Sequence, residues 1–280
     1  MHFEQDFMVQ KTFAIYTQLE GTARLYIEAG MSQLACWIKD LQTGQVQAFE
    51  LFEFDQDKAL INFGEIFRLI KLHSKILESS YAGTTIIWEN EECLLVPEKY
   101  AYRVSAGDYL DMVYGHAPGA ITAQQPALTA NAIFRAPRSW KEELDKHFPF
   151  AKYTHKFQGI YAGNHATDIT DGVRVFFYRG HFFLILYRDS QLQLIRRFAY
   201  QTPEDVVYYI LNTFEQYDLS PAETDVCISG LIDLRSALYS ELYKYLQNLK
   251  VEEYNDEGME DAAFGEYPYH YFLPFLKTVG

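Results

Sequence analysis

The sequence predicts an α/β protein built from two tandem copies of a β-β-β-α-β-α unit. Two meanders of three apolar segments begin near residues 24 and 173, and each is followed by a helical pattern and a buried-type strand. The matching elements lie about half a chain length apart, which is the self-similarity expected of a duplicated unit. We therefore predict a first half over residues 1–150 and a second half over residues 151–280.

The strands of the first meander are predicted at residues 24–28, 33–38 and 46–54. All three are rich in apolar residues, and the third alternates apolar with polar side chains, as half-buried strands do. Turns that contain Gly30 and Gly44 separate them. Short glycine-containing turns are typical of antiparallel hairpins, so the three segments form a meander.

A helix and a buried strand follow this meander. Apolar residues recur at helical spacing over residues 62–79, which indicates an amphipathic helix. The run at residues 84–88 is β-branched and aromatic, as in a buried strand, and residues 92–96 form a further short strand.

The rest of the first half is predicted to be more irregular. We expect helices over residues 108–114 and 139–147, the second with Ser139 as its N-cap. Residues 116–130 contain proline and glycine and are predicted to be a loop, with a short strand after it at residues 132–134.

The second half repeats the meander and the helix. Strands are predicted at residues 173–178, 181–188 and 191–200, with turns at Arg179-Gly180 and Asp189-Ser190. A helix then begins after Thr202, which is its N-cap, because proline occupies the first helical position and an acidic residue the third.

Two further elements and two terminal segments complete the second half. We predict a strand at residues 224–228 and a helix at residues 236–249. Residues 252–266 are acidic and are predicted to be an exposed loop. The aromatic segment at residues 269–276 is expected to pack on the core, because leaving it in water would expose a large apolar patch.

Composition excludes several classes of partner. The chain carries 24 Lys and Arg against 38 Asp and Glu, a net charge of −14, whereas nucleic-acid binding needs clustered cations. The short basic runs at Arg135, Arg138 and Lys141 and at Arg196-Arg197 are predicted to be surface charge. No apolar run approaches the length of a membrane span. We expect no nucleic-acid partner and no membrane insertion.

Cysteine usage and the N-terminus predict a cytoplasmic protein. Its three cysteines are odd in number, far apart and embedded in apolar runs, which indicates free thiols rather than a disulfide framework. The spacing of a structural zinc site is missing from the sequence. The first residues lack the basic and apolar regions of a signal peptide.

The doubled pattern resembles the actin-like ATPase fold, in which two ribonuclease-H-like halves bind nucleotide in the cleft between them. Four runs also resemble the uncharacterised bacterial family called domain of unknown function 3822. They lie at residues 94–97, 227–233, 236–245 and 272–275. This resemblance implies an actin-like fold over nearly the whole chain, but it brings no assigned chemistry.

The resemblance also implies where a nucleotide would bind. Actin-like ATPases place an acidic residue and a glycine-rich turn after the first strand of each half, and the backbone N–H groups of such turns bind phosphate. The matching positions here, predicted to form a degenerate cleft, are Glu28, Gly30, Ser32, Gly180, Ser229 and Gly230. We take Gly30 to correspond to Gly180, and the three glycines to be turn residues with positive φ.

The second copy departs from the ATPase pattern. The turn Arg179-Gly180 lacks the acidic residue and the glycine run, and bulky Leu231 follows Gly230 where an adenine would pack. No residue stands out for positioning a hydrolytic water or for holding a metal. We therefore predict no catalytic residue, no metal ligand and no cofactor, with ATP and magnesium disfavoured.

Three functions remain open from the sequence. The first is a non-catalytic scaffold or adaptor with a protein partner, and the second is a nucleotide-binding switch with slow or no hydrolysis. The third is an enzyme of unrecognised chemistry, since the motifs of common hydrolases and kinases are missing. His165, Asp168 and Asp171 lie in one hydrophilic loop that a metal would suit, but turn chemistry explains them better.

Overall fold

The computed structural model describes residues 8–17, 21–163, 171–253 and 267–277. These residues form two compact units, one that ends at Gly159 and one that begins at Ile160. The boundary that the sequence suggests, between residues 150 and 151, stays a prediction. Each unit is described by itself below.

The first unit contains nine strands and begins five helices, within the residues described. The strands are β1 (Val9–Tyr16), β2 (Ala23–Gly30), β3 (Gln33–Asp40), β4 (Val46–Phe54), β5 (Thr84–Glu89), β6 (Cys93–Pro97), β7 (Ala120–Ala127), β8 (Ala130–Pro137) and β9 (Lys152–His155). The helices are α1 (Gln56–Ile61), α2 (Phe63–His73), α3 (Ala106–Tyr114), α4 (Arg138–His147) and α5 (Lys156–Gly163), the last of which crosses into the second unit.

Six of these strands form the main sheet, in the order β1-β4-β3-β2-β5-β9. The predicted meander is confirmed, because β2, β3 and β4 pair antiparallel in sequence order. Strand β1 pairs antiparallel with β4, while β5 and β9 add parallel to β2. The carboxyl ends of β2, β5 and β9 therefore meet at one edge of the sheet.

A smaller sheet, in the order β6-β8-β7, is inserted between β5 and α4. The prediction of a loop over residues 116–130 is wrong, because β7 lies there. Its sequence lacks apolar alternation, and its pairing with β8 across a turn at Leu128 provides the stability that the local sequence does not. Arg135 is also not surface charge: it is 5% exposed and pairs with Glu92 and Asp111.

Two predicted helix ends in this unit are corrected. The helix expected over residues 62–79 ends at His73, because Ser74 adopts an extended conformation and its hydroxyl donates to Glu50. Asn62 is the N-cap of that helix, accepting from the backbone N–H of Glu65. Ser139 is not an N-cap: α4 begins at Arg138 after Pro137, without a side-chain cap.

The second unit contains five strands in the order β12-β11-β10-β13-β14, within the residues described. They are β10 (Gly172–Tyr178), β11 (His181–Arg188), β12 (Gln191–Ala199), β13 (Val226–Gly230) and β14 (Leu249–Val251), and the helices are α6 (Pro203–Gln216), α7 (Ala237–Tyr245) and α8 (Leu273–Leu276). Strands β10, β11 and β12 form the predicted antiparallel meander, and β13 and β14 add parallel. The predicted cap of α6 is confirmed as a capping box between Thr202 and Asp205.

Both sheets share the ribonuclease-H-like arrangement. The third, second and first strands of the meander lie side by side in that order, and two parallel strands follow next to the first. The duplicated α/β class is confirmed, but the repeating unit is longer than predicted. Each copy ends in a fifth strand, β9 or β14, of only four and three residues. Such short strands show too little periodicity to be recognised in the sequence.

The predicted packing of the C-terminal aromatic segment is confirmed, since Phe272, Leu273 and Phe275 are at most 1% exposed. The predicted exposed loop at residues 252–266 is wrong at its first residue, because Glu252 is buried and pairs with Arg174 and Lys277. Residues 254–266, like His165 and Asp168, lie outside the described part of the chain. None of the helices in the described part is both long and apolar enough to cross a bilayer.

Candidate functional site

Charged residues lie at the carboxyl edge of the first sheet. Glu28 lies near the end of β2, Glu89 is the last residue of β5, and His155 and Lys156 follow one another at the end of β9. All four side chains are at most 1% exposed. Burying ionised groups is costly unless they are paired, so this cluster is the strongest candidate for a site in the first unit.

A buried ion pair joins two of these residues. The ammonium Nζ of Lys156 donates to Oε2 of Glu28 at 2.5 Å, across 128 positions of sequence. Burial lowers the pKa of Lys156, while the charges of Glu28 and Glu89 oppose that effect and favour the ammonium form. The cluster therefore holds two carboxylates around one internal cation.

The side chain of Glu89 closely approaches Gly30, the glycine at the end of β2, which explains why this position has no side chain. A Cβ built on Gly30 would lie 2.5 Å from Oε2 of Glu89, so the carboxylate packs where a side chain would stand. The prediction that Gly30 has a positive φ is wrong, because it ends a regular strand with β geometry. The missing Cβ makes room for Glu89, its partner in the parallel register.

His155 is neutral in this cluster. Its Nδ1 accepts from the backbone N–H of Phe157 at 3.1 Å, which places the ring proton on Nε2. Nε2 is buried and makes no hydrogen bond of regular geometry with a described residue, although the ring interacts with the backbone of Asn90. Burial lowers the pKa of His155 to about 3, despite the nearby charge of Glu89. The ring is thus a buried neutral donor.

The cluster does not form a metal site as it stands. Among the described residues, no three His, Cys, Asp or Glu side chains are placed to hold a metal ion. Ser32, the other predicted residue of this half, lies in the turn between β2 and β3, where its carbonyl accepts from the backbone N–H of Phe54 at 2.9 Å. The structure thus brings Glu28 and Gly30 to one edge, with Ser32 in the adjoining turn.

The corresponding edge of the second sheet carries aromatic and small residues. Tyr178 ends β10 and is fully buried, stacked on His181 with ring centroids 4.9 Å apart and edge-on to Phe275 at 5.2 Å. The turn residue Gly180 has a φ of +73° and open space around its Cα, as predicted for a turn glycine.

The end of β13 is closely packed against β10. Gly230 has a φ of +95°, and a Cβ there would lie 2.1 Å from the carbonyl oxygen of Phe177, so only glycine fits. The backbone N–H of Leu231 donates to the same carbonyl at 2.8 Å. Ser229 is fully buried, and its hydroxyl makes no hydrogen bond with any described residue.

Strand register corrects one predicted correspondence between the halves. Gly30 and Tyr178 are the last residues of their strands, and after two-residue turns Gln33 and His181 begin the next strands. Gly30 therefore corresponds to Tyr178, and Gly180 to Ser32. Where the first half places the smallest residue beside a carboxylate, the second half places a buried tyrosine.

Sequence reasoning missed Glu89, His155 and Lys156. A signal for Glu89 was present, because an acidic residue directly follows the recognised strand at residues 84–88. His155 ends a four-residue strand that the sequence did not predict, and Lys156 directly follows it, so their place on this edge was hidden.

Solved structures with the same fold have little sequence in common with this chain. A protein from Bacteroides thetaiotaomicron with an actin-like ATPase fold and unknown function superposes with a TM-score of 0.69 at 16% identity, covering 82% of this chain and 91% of the other. The ethanolamine utilization protein EutJ from Carboxydothermus hydrogenoformans gives 0.53 at 10% identity, with 95% and 91% covered. At such low identities these similarities establish the fold alone.

A third structure, a chain of the PilM–PilN type IV pilus biogenesis complex, superposes with a TM-score of 0.53 at 13% identity, covering 91% of this chain and 97% of the other. No curated protein matches the chain in sequence. A family model described as protein of unknown function (DUF3822) matches residues 11–249. With an actin-like ATPase fold and a match over most of its length, the chain belongs to the DUF3822 family of proteins of unknown function.

Proposed function

We propose that this protein is a non-catalytic scaffold or adaptor whose actin-like halves no longer bind and hydrolyse ATP with magnesium. The observation that carries the proposal is the buried ion pair between Glu28 and Lys156. Glu28 is the one acidic residue at the position where an actin-like ATPase holds its metal through water. Here it is already paired with a cation of the protein itself, Lys156.

The energetics of this pair argue against metal binding. A magnesium ion retains several waters and needs a carboxylate that solvent can reach, whereas Glu28 is 1% exposed. Separating the pair would leave buried Lys156 with only the charge of Glu89 nearby, and breaking a buried pair costs about 3–5 kcal/mol. A metal would have to overcome that cost before it gained anything.

The second unit supports the same proposal. Phosphate binding in such folds relies on free backbone N–H groups in glycine turns. The N–H of Leu231, after Gly230, already donates to Phe177. Tyr178, fully buried, occupies the strand end where the first copy has glycine. We infer that neither half retains a phosphate cradle, so Gly180, Ser229 and Gly230 serve packing and turn geometry.

A protein partner and a cytoplasmic location are part of the proposal. One similar chain comes from the PilM–PilN type IV pilus biogenesis complex, and by analogy of fold we propose a protein partner for this chain as well. All three cysteines are free, and Cys36 and Cys93 are buried. Free thiols are typical of proteins kept in a reducing compartment.

Calorimetry with magnesium and ATP or ADP tests the loss of nucleotide binding. We expect no binding heat at nucleotide concentrations up to about 1 mM, and no phosphate release. Micromolar, one-to-one binding that disappears in the Glu28→Ala variant would contradict the proposal. The matched control is Glu142→Ala, which removes an exposed carboxylate on helix α4, outside the cluster.

A nucleotide-binding switch without hydrolysis is the second candidate. It is favoured by the buried hydroxyl of Ser229, which makes no hydrogen bond with any described residue. Such groups are costly unless a ligand or water satisfies them. Under this alternative, calorimetry detects ATP or ADP without phosphate release, and Ser229→Ala weakens the binding.

A further inference from the structure

The two meanders differ in how their third strand is covered. In the first unit, β4 pairs on one side with β3 and on the other with β1. In the second unit, β12 pairs with β11 and ends the sheet, with no further strand beside it among the described residues. The first copy therefore shows what a covered third strand looks like, and the second copy shows an open edge.

Burial reflects this difference. Of the nine residues of β4, all except Glu53 are buried, whereas only Phe198 is buried among the nine of β12. The apolar residues Leu192, Leu194 and Ile195 of β12 remain half-buried. A nine-residue open edge with partly exposed apolar side chains is a template for pairing with another strand.

The registers of the two sheets align β4 with β12 residue by residue. Gln33 and His181 begin the equivalent strands β3 and β11, so Cys36 and Leu184, three residues further on, are equivalent. Cys36 pairs with Glu50, and Leu184 pairs with Arg196. Arg196 thus stands where the first copy has Glu50, and the charge is reversed.

In the first copy, strand β1 covers β4 and supplies groups that complement the negative charge of Glu50. Nζ of Lys11, on β1, lies 3.0 Å from Oε1 of Glu50, and Tyr16 on the same strand donates to that carboxylate. Ser74 and the backbone N–H of Lys75 also donate to it, at 2.5 and 2.9 Å, as does Sγ of Cys36 at 3.6 Å. Although burial raises it, these hydrogen bonds hold the pKa of Glu50 below its usual range.

We propose that the open edge of β12 binds an extended, acidic segment of a partner protein, which adds antiparallel to the sheet as β1 does in the first copy. The segment carries Asp or Glu at the position of Lys11, which is paired with Phe52 and lies diagonally across from Glu50, so that this carboxylate lies diagonally across from Arg196. Arg196 is exposed and lies over the ring of Phe198 at 5.1 Å. The only charged residues of β12 are Arg196 and Arg197, so this edge is locally basic on an acidic chain.

A second copy of this chain does not fit the edge. Two β12 strands paired with each other would bring the Arg196-Arg197 runs of both copies to one junction, where like charges destabilise pairing. The β1 strand of a second copy would bring Lys11 toward Arg196, again with like charge. Main-chain pairing provides affinity in strand addition, and side chains provide selectivity, so an acidic partner is selected.

Peptide binding to the full chain tests the proposal. The probes are two fluorescent eight-residue peptides with the sequence of β1, one unchanged and one with the Lys11→Glu change. We expect the acidic peptide to bind about fivefold or more tightly than the lysine peptide at low salt. We also expect it to slow amide hydrogen exchange in residues 191–199.

A charge-reversal variant makes the test specific. In Arg196→Glu the preference is expected to reverse, so that the lysine peptide binds better. Lys250→Glu, on the opposite edge strand β14 and also exposed, is the matched control and leaves the preference unchanged. Equal affinities, no binding of either peptide, or an unchanged preference in Arg196→Glu overturns the proposal. So does a dimer in sedimentation that Arg196→Glu dissociates, since the occupant is then a second copy. Loss or retention of nucleotide binding does not affect these outcomes.

Discussion

In the first half the parallel strands carry Glu28, Glu89 and the His155-Lys156 pair at or beside their carboxyl ends, whereas in the second half β10 and β13 end on Tyr178 and Gly230. Both edges are buried and derive from the same strand arrangement. The first is stabilised by an internal ion pair and the second by aromatic stacking and close backbone packing. One topology thus accepts two different chemistries at the carboxyl ends of its parallel strands.

The largest loss of stability is expected when the internal cation of the first half, Lys156, is removed. In Lys156→Met, Glu28 and Glu89 remain buried without the ammonium, so the free energy of unfolding falls by about 3–5 kcal/mol. Urea denaturation measures this change. The double variant Lys156→Met/Glu28→Gln, which also removes one carboxylate charge, is expected to recover more than half of the loss. A loss below 1 kcal/mol, on the order of a surface pair, would show that the pair is not the central feature of this edge.

Two glycine substitutions in the second half separate the effect of a close backbone contact from the effect of a positive φ. Gly230→Ala combines a positive φ with a Cβ 2.1 Å from a backbone oxygen, so we expect a loss above about 2 kcal/mol. Gly180→Ala has a positive φ but open space, and about 1 kcal/mol is expected. Thermal unfolding of both variants gives the order, and equal losses would show that the contact with Phe177 does not matter.

Acid is expected to weaken the first half through His155. Its pKa falls from 6.5 to about 3 on burial, so between these values the unfolded chain binds a proton that the folded chain does not. Stability is therefore fully present above pH 6.5 and decreases as the pH falls toward 3, by up to about 1.4 kcal/mol per unit.

Urea denaturation of the wild type and of His155→Gln, at a series of pH values, isolates this contribution. The variant lacks the titrating ring, so its unfolding free energy should fall less steeply with acid over the same range. Parallel curves would show that other groups account for the acid sensitivity.

The smallest effect is expected at Ser229 in the second half. Its buried hydroxyl has no hydrogen-bond partner among the described residues, so Ser229→Ala removes a desolvated group and loses no hydrogen bond. We expect a change within about 1 kcal/mol, neutral or stabilising. A clear loss in thermal unfolding would show that the hydroxyl has a partner, and would favour a ligand site in this half.

The fold could be predicted from the sequence because its meanders are long and strongly patterned. The strands around Glu28 and Tyr178 have eight and seven residues, enough for periodicity to show. The candidate site could be predicted only in part. Glu28 and Gly30 were found, but their partner Lys156 is 128 positions away from Glu28, on the far side of a short strand, and only the parallel pairing of β9 brings it close.

The role of each glycine was likewise beyond sequence pattern. A turn with positive φ, a close approach of another backbone and a contact with a carboxylate each require glycine. The sequence shows the same residue in all three cases, and only the structure distinguishes them. Gly180 fits the first, Gly230 the second and Gly30 the third. The inserted strand β7 was missed for a related reason, because its stability comes from pairing with β8 rather than from its own residues.

Manganese binding tests the central claim most directly, since Mn²⁺ replaces Mg²⁺ with similar ligands and is observed by electron paramagnetic resonance. The protein is titrated into Mn²⁺ with ADP, and free Mn²⁺ is followed, with Glu28→Ala as the control. We predict that free Mn²⁺ stays the same as with ADP alone, for the wild type and for the variant. A stoichiometric, ADP-dependent loss of free Mn²⁺ that Glu28→Ala abolishes would contradict the account, because Glu28 would then hold a metal despite Lys156.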